Sequence, residues 1–189
     1  MTANKAQNIL DFWFNESLPE ELFRQKNSFD KKIRDRFFND YKKAIINEYD
    51  EWQDNPKTCL ALIILLDQFS RNLFRNDEKA FEQDYKCRLI VNEAIDRGDL
   101  EKLDINEKLF ILLPLLHSEE ISDHIYVHNL YNVHLKNHPQ ATLIKDSWKN
   151  HTDVLKKFKR YPHRNKVLQR QSTRKEIEFL NQSNSSWVI

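Results

Sequence analysis

The chain has a single glycine in 189 residues, against ordinary usage of about 7%. Glycine takes positive φ without a steric penalty, and hairpins, bulges and phosphate-cradling loops draw on it heavily. A β-barrel, a dinucleotide-binding fingerprint and a P-loop are therefore close to excluded, whereas helices need almost no glycine. The one present, Gly98, follows Arg97 at the end of a helical pattern, where a helix C-terminus takes the left-handed conformation. The expected fold class is all-α, about eight helices in antiparallel pairs joined by short loops. One domain is expected over 1–189, with a mobile tail at 182–189.

Apolar residues recur at helical spacing along nearly the whole sequence. A first helix covers Asn4 to Phe14, and Pro19-Glu20-Glu21 opens another turn. Ser28 is placed to cap a long helix with the ladder Phe29, Ile33, Phe37, Tyr41 and Ile45. Pro56 starts a helix running to about Arg75, and Asn76-Asp77 caps another through Phe81, Tyr85, Leu89 and Ile95. Asn106 to His117 is strongly apolar, and Pro114 either kinks it or marks its last turn. Ser118 reads as the N-cap of a helix carrying Ile121, Ile125, Leu130 and Leu135, and a seventh helix spans Pro139 to Phe158. Pro162 holds Tyr161 out of helix. Thr173 and Glu176 match a capping box for a last short helix with Ile177 and Leu180, after which the tail is expected to fray until Trp187.

Apolar residues make up 40% of the chain, with 12 Phe, 6 Tyr and 4 Trp, which suffices for a real core. Charge is balanced at +1 overall, yet Lys145 to Lys175 holds eleven Lys/Arg against Asp146 and Asp153. That asymmetry marks either an anionic partner or a basic segment docking on the chain's own acidic remainder. Cys59 and Cys87 sit in apolar helical patterns and build neither a disulfide framework nor a zinc site. The longest apolar runs, Cys59–Leu66 and Leu109–Leu116, are far short of the roughly 20 residues of a membrane span. With no signal peptide evident at Met1–Asp11, the expected location is cytoplasmic, with no membrane partner.

Three stretches could carry chemistry. At 100° per residue, Asp67, Gln68, Arg71, Asn72 and Arg75 share one face of the Pro56–Arg75 helix, after apolar turns through Leu60, Ala61 and Ile64. A pocket floor and wall read this way. So does a helix emerging into solvent, with Asp67–Arg71 an i,i+4 pair and the arginines answering the C-terminal dipole. His117-Ser118-Glu119-Glu120 offers a histidine beside a carboxylate, a possible general base with its orienting partner, or simply a capped helix junction. Arg160-Tyr-Pro-His163-Arg164-Asn165, followed by Arg170, groups guanidinium donors suited to a carboxylate or phosphate. The same arginines could instead staple the C-terminal segment onto Glu119, Glu120 or Asp67. His151, on the preceding helix, could approach the same place. His124 and His128 mimic a metal pair at i and i+4 but lack the intervening Glu of the metalloprotease motif, so no metal is expected. No cofactor is expected either. Aromatic residues are not interleaved with the basic ones beyond Phe158 and Tyr161, which argues against nucleic acid.

Taken together, Leu65-Leu66-Asp67-Gln68-Phe69-Ser70-Arg71-Asn72-Leu73-Phe74-Arg75, His117-Ser118-Glu119-Glu120 and Arg160-Tyr161-Pro162-His163-Arg164-Asn165 resemble the bacterial family called domain of unknown function 924. Ser172-Thr173 ahead of Glu176-Ile177, the opening Ile9-Leu10-Asp11-Phe12-Trp13-Phe14 and Trp52 fit as well. The resemblance covers nearly the whole chain. It implies a compact all-helical fold similar to tetratricopeptide-like superhelices, and no established reaction. The family pattern favours proline where Ser70 stands, and glycine where Lys159 and Gln169 stand.

Three functional readings follow. The first is a binding module in which Asp67, Gln68, Arg71, Asn72, Arg75, His117, Glu119, Glu120, His151, Arg160, His163, Arg164 and Asn165 converge on one pocket for a small anionic or peptide-like ligand. The second is an acid–base enzyme using His117 or His163 with Glu120 or Asp67. The third is a helical surface for a protein partner, with a purely structural polar network.

Overall fold

In the computed structural model, residues 2–23 and 25–182 are described, and all their regular structure is helical, without strands. Of the tail expected to be mobile, Gln182 closes the last helix, and the rest, with Trp187, lies outside these residues. Ten α segments follow in order: α1 (Thr2–Asp11), α2 (Pro19–Phe23), α3 (Asn27–Ile45), α4 (Pro56–Ile63), α5 (Ser70–Leu73), α6 (Asp84–Asp96), α7 (Ile105–His117), α8 (Ile121–His134), α9 (Ala141–Phe158) and α10 (Arg174–Gln182). A π-helical turn, Ile64–Phe69, joins α4 to α5 without a break, so the described residues form nine rods. The rod beyond the expected eight is the short α2.

The two longest apolar runs become the buried helices. Cys59 to Leu66 on the α4 rod and Leu109 to Leu116 on α7 are all buried, as expected of helices that are apolar all round. Pro114 sits in the last turn of α7. Around these helices, α1 packs on α4, α6 on α4 and α7, α7 on α8, and α8 on α9. At one end Trp13 meets Phe29, Phe69 and Phe110 at centroid distances of 6.1, 5.6 and 5.5 Å. Such offset and edge-on pairs add about 0.5–1.5 kcal/mol each beyond burial.

Local punctuation follows the sequence closely at some places and not at others. Gly98 ends α6 with φ 74°. Thr173 and Glu176 form the capping box, through Thr173 N–H to Glu176 Oε2 at 2.7 Å and Glu176 N–H to Thr173 Oγ1 at 3.3 Å. α3 begins at Asn27 with Lys26 as its N-cap, so Ser28 is already inside the helix. Ser118 closes α7 rather than opening α8: its Oγ accepts from Glu120 N–H at 2.9 Å, and the new helix starts at Ile121. Asp77 caps only a 3₁₀ turn, Glu78–Ala80. Because α6 starts afresh at Asp84, its inward face is Cys87, Ile90, Val91 and Ala94, while Tyr85 and Leu89 point outward. Ile121, Ile125 and Ile177 are likewise exposed.

Candidate functional site

The π turn at Ile64–Phe69 places the first acidic side chain of the site. Asp67 is fully buried there. Its Oδ1 lies 2.8 Å from His117 Nδ1 at the end of α7 and 3.0 Å from Arg71 Nη1, one turn further along the rod. Gln68 donates to its Oδ2. Burial alone would push the Asp67 carboxyl up, but the Arg71 guanidinium, then His117 and Gln68, outweigh it and hold the group well below the usual carboxylate range. Asp67 is therefore an anion at neutral pH.

His117 is buried, and burial moves its pKa down. Asp67 opposes that shift and the nearby Arg71 adds to it, and the net direction is downward. The ring is neutral at pH 7, with Nδ1–H donating to Asp67. That fixes Nε2 as the unprotonated nitrogen, an acceptor or base. Nε2 has no hydrogen bond to a described residue and is not sealed in.

Arg71 links this pair to the C-terminal loop. Its Nη2 donates to both oxygens of Asp84 at 3.0 and 3.1 Å, and Asp84 also receives Arg164 Nη1 at 3.4 Å. The Asp67 face, the His117 junction and the Arg164 loop thus meet through Asp84. That residue stands in the first turn of α6, where an acid reads from sequence as an ordinary dipole partner.

The polar face itself divides. Asn72 is about 100° round the rod from Arg71, and Arg75 lies past the end of α5 at Leu73. Asp67 and Arg71 face α6 and α7, whereas Asn72 and Arg75 turn to Asp30 of α3. Asn72 Nδ2 and Arg75 Nη2 reach Asp30 Oδ1 at 2.8 and 2.9 Å, and Arg75 Nε pairs with Oδ2.

Two cavities share His117 in their lining. One, of about 370 Å³, runs between the α4–α5 rod, α7 and α9. Gln68, Arg71, Asn72, Arg75, His117 and His151 supply its polar wall; Leu109, Leu113, Leu116 and Trp148 supply its apolar one. The other, of about 460 Å³, lies beside α6 and is lined by Asp84, His117, Glu119, Glu120 and Arg164, with Glu78 and Glu82.

The remaining expected residues hold the C-terminal segment down. Glu119 accepts from Arg170 Nη1 and Nη2 at 2.6 and 2.9 Å and from Tyr161 N–H at 2.8 Å. Arg160 forks onto Glu176 at 2.7 and 2.9 Å, the main cause that draws Glu176 down to about 2. Asn165, fully buried, donates to Ser172 Oγ at 3.1 Å. His151 donates from Nδ1 to Ser147 O at 2.8 Å, and burial pushes it down to about 4. His163, its ring 5.4 Å from that of Tyr161, is pushed down to about 3 by burial, and then by Arg164, His151, Arg71 and Arg170. Glu120 is exposed; Asp67, not Glu120, is the carboxylate bound to His117. His124 and His128 face one Thr152 hydroxyl at 2.9 and 2.8 Å, and His124 Nε2–H donates to Ser118 O at 3.0 Å. Among the described residues no group of three His, Cys, Asp or Glu side chains is placed to hold a metal. None of their helices is long and apolar enough to cross a membrane.

Residues 9–184 match the family described as bacterial proteins of unknown function, DUF924. The chain belongs to this family. A solved structure of a protein of unknown function from Agrobacterium tumefaciens is similar to it, at 32% identity and a TM-score of 0.89, covering 97% of this chain and 100% of that one. No curated protein matches. In this DUF924 chain the two positions where the family pattern favours glycine keep a glycine-like backbone: Lys159 has φ 63° and Gln169 φ 54°. A residue with a Cβ bears a local steric cost in that conformation. Ser70, where proline is favoured, donates from Oγ to Leu66 O at 2.6 Å.

Proposed function

We propose that this DUF924 protein is a binding module for a small peptide-like molecule, held in the 370 Å³ cavity between the α4–α5 rod, α7 and α9. One observation carries the reading: His117, held through Nδ1 by buried Asp67 at 2.8 Å, lines that cavity with no hydrogen bond to a described residue on its Nε2. A ligand-binding site of this size combines apolar walls with few, fixed polar groups, and Leu109, Leu113, Leu116 and Trp148 provide the walls. The arginines on the polar side are neutralised by Asp67, Asp84 and Asp30. The ligand inferred is therefore less anionic than the sequence suggests. It has an apolar body and an N–H or O–H donor for Nε2.

A test is a screen of small amides and capped amino acids by ¹H–¹⁵N spectra, following the Trp148 indole. Hits that move that resonance and are lost in His117→Gln support the reading. Hits that leave Trp148 unmoved, or survive the substitution, contradict it.

A second reading is favoured by the same pair. A neutral histidine with a buried carboxylate behind it is the arrangement of a general base. Burial pushes Cys59 up to about 12 and Cys87 well above its ordinary value, so neither is an activated nucleophile. On this reading His117 would deprotonate water for hydrolysis, and turnover of an activated ester would vanish in His117→Gln.

A further inference from the structure

The second cavity, beside α6, has a different chemistry. Most charges on its wall are already matched. Asp84 holds Arg71, Glu119 holds Arg170, and Arg88 Nε sits 2.6 Å from Asp123 Oδ2. Two sets of groups are not. Glu78, Glu82 and Glu120 line the rim with no ion pair to a described residue. Arg164, only 4% exposed, has one hydrogen bond, at 3.4 Å to an Asp84 oxygen that Arg71 also holds, and its Nε is buried without a partner.

A buried guanidinium with so few bonds is costly unless something else accepts from it. Arg164 is also held rigidly. Its guanidinium carbon lies 4.6 Å from the Phe81 ring and 4.7 Å from the Tyr161 ring, so two aromatic rings pack against it. Such packing fixes the planar fork in advance, leaving its edge as the part that can donate.

We propose that this cavity recognises a free α-amino acid, with the ligand carboxylate on Arg164 and its ammonium against the rim carboxylates Glu78, Glu82 and Glu120. A simple anion would reach Arg164 only past three uncompensated acids, and a simple cation would leave the guanidinium unanswered. A ligand carrying both charges close together satisfies both sets, and about 460 Å³ is ample for it. This proposal is independent of the His117 reading, because its deciding residues lie on the other cavity.

The experiment is a thermal-shift and calorimetric series on the intact protein. The probes are the twenty L-α-amino acids at millimolar concentration, then the best of them as its N-acetyl and its amide derivative, and O-phosphoethanolamine. At least one amino acid is expected to raise Tm, with each blocked derivative weakened tenfold or more. Glu82→Gln, on the exposed rim, and Arg164→Lys, which keeps the charge but loses the fork, are each expected to weaken it at least fivefold. Lys31→Ala, on the exposed face of α3 and outside both cavities, should leave it unchanged. If Arg164→Lys fails to fold, Glu82→Gln decides. The proposal is overturned if no amino acid binds, if the blocked forms bind equally, if phosphoethanolamine alone binds, or if binding survives Glu82→Gln intact.

Discussion

Asp67 and His117 stand fifty residues apart in the chain and 2.8 Å apart in space, carboxylate oxygen to Nδ1. Arg71 holds the same carboxylate oxygen at 3.0 Å. The α4–α5 rod and the end of α7 are thus tied by a buried anion with two partners, and His117 lines both cavities.

Arg71→Ala leaves Asp67 without its cation and Asp84 without its bidentate partner. Removing one member of a buried pair typically costs about 3–5 kcal/mol. A fall in the urea midpoint at an unchanged m-value is expected. A loss below about 1 kcal/mol would contradict the geometry.

Acid should weaken the protein in two steps. His151 and His163 are half-buried, and desolvation holds their folded pKa values near 4 and 3, below the ordinary 6.5. Between 6.5 and those values the unfolded chain binds protons that the folded chain does not, so stability falls as pH falls. Each such proton contributes a slope of about 1.4 kcal/mol per pH unit. Above 6.5 the contribution is complete and flat. The second step comes from Glu176, whose pKa near 2 lies under an ordinary 4.5, and from Asp67, also lowered; it appears as pH drops through that lower window. Urea melts from pH 7.5 to pH 3 would show the onset near 6.5; a flat profile down to pH 4.5 would refute the histidine assignment.

Lys159 and Gln169 occupy left-handed backbone at φ 63° and 54°. Glycine takes this conformation without the steric penalty, although it adds unfolded-state entropy. Lys159→Gly and Gln169→Gly should each stabilise by about 0.5–1 kcal/mol, raising Tm by roughly 1–4 °C for a chain of this size. Tm unchanged or lowered in both would show that the strain is relieved elsewhere.

Both thiols should be silent in the folded state. Cys59 and Cys87 are fully buried and their pKa values raised by desolvation. A thiol reagent at pH 8 should label neither until urea unfolds the chain. Fast labelling of either in native buffer would contradict the packing of α4 against α6.

Where the sequence speaks through local rules, it was legible. The scarcity of glycine, the two apolar runs and the Thr173–Glu176 box all depend on neighbours a few residues away. Asp104 with Glu107 was an equally readable box, and the structure forms it at the start of α7. The π turn at Ile64–Phe69 was not legible, because periodicity is counted by assuming an α-helix, and neither was Asp30 as the partner of Asn72 and Arg75, because it lies 42 and 45 residues away. Tyr85 and Leu89 misled for a related reason: the 3₁₀ turn at Glu78–Ala80 resets the phase before α6 begins. The role of Asp84 had no local signal, since it is defined by arginines 13 residues before it and 80 after it.

The state of His117 itself is the most direct test. Long-range ¹H–¹⁵N spectra of histidine-labelled protein at pH 7 should show Nδ1 protonated and Nε2 bare, with His117 remaining neutral well below pH 6.5. A proton on Nε2 in place of Nδ1, or an imidazolium at neutral pH, would mean that Asp67 does not present this histidine as an acceptor.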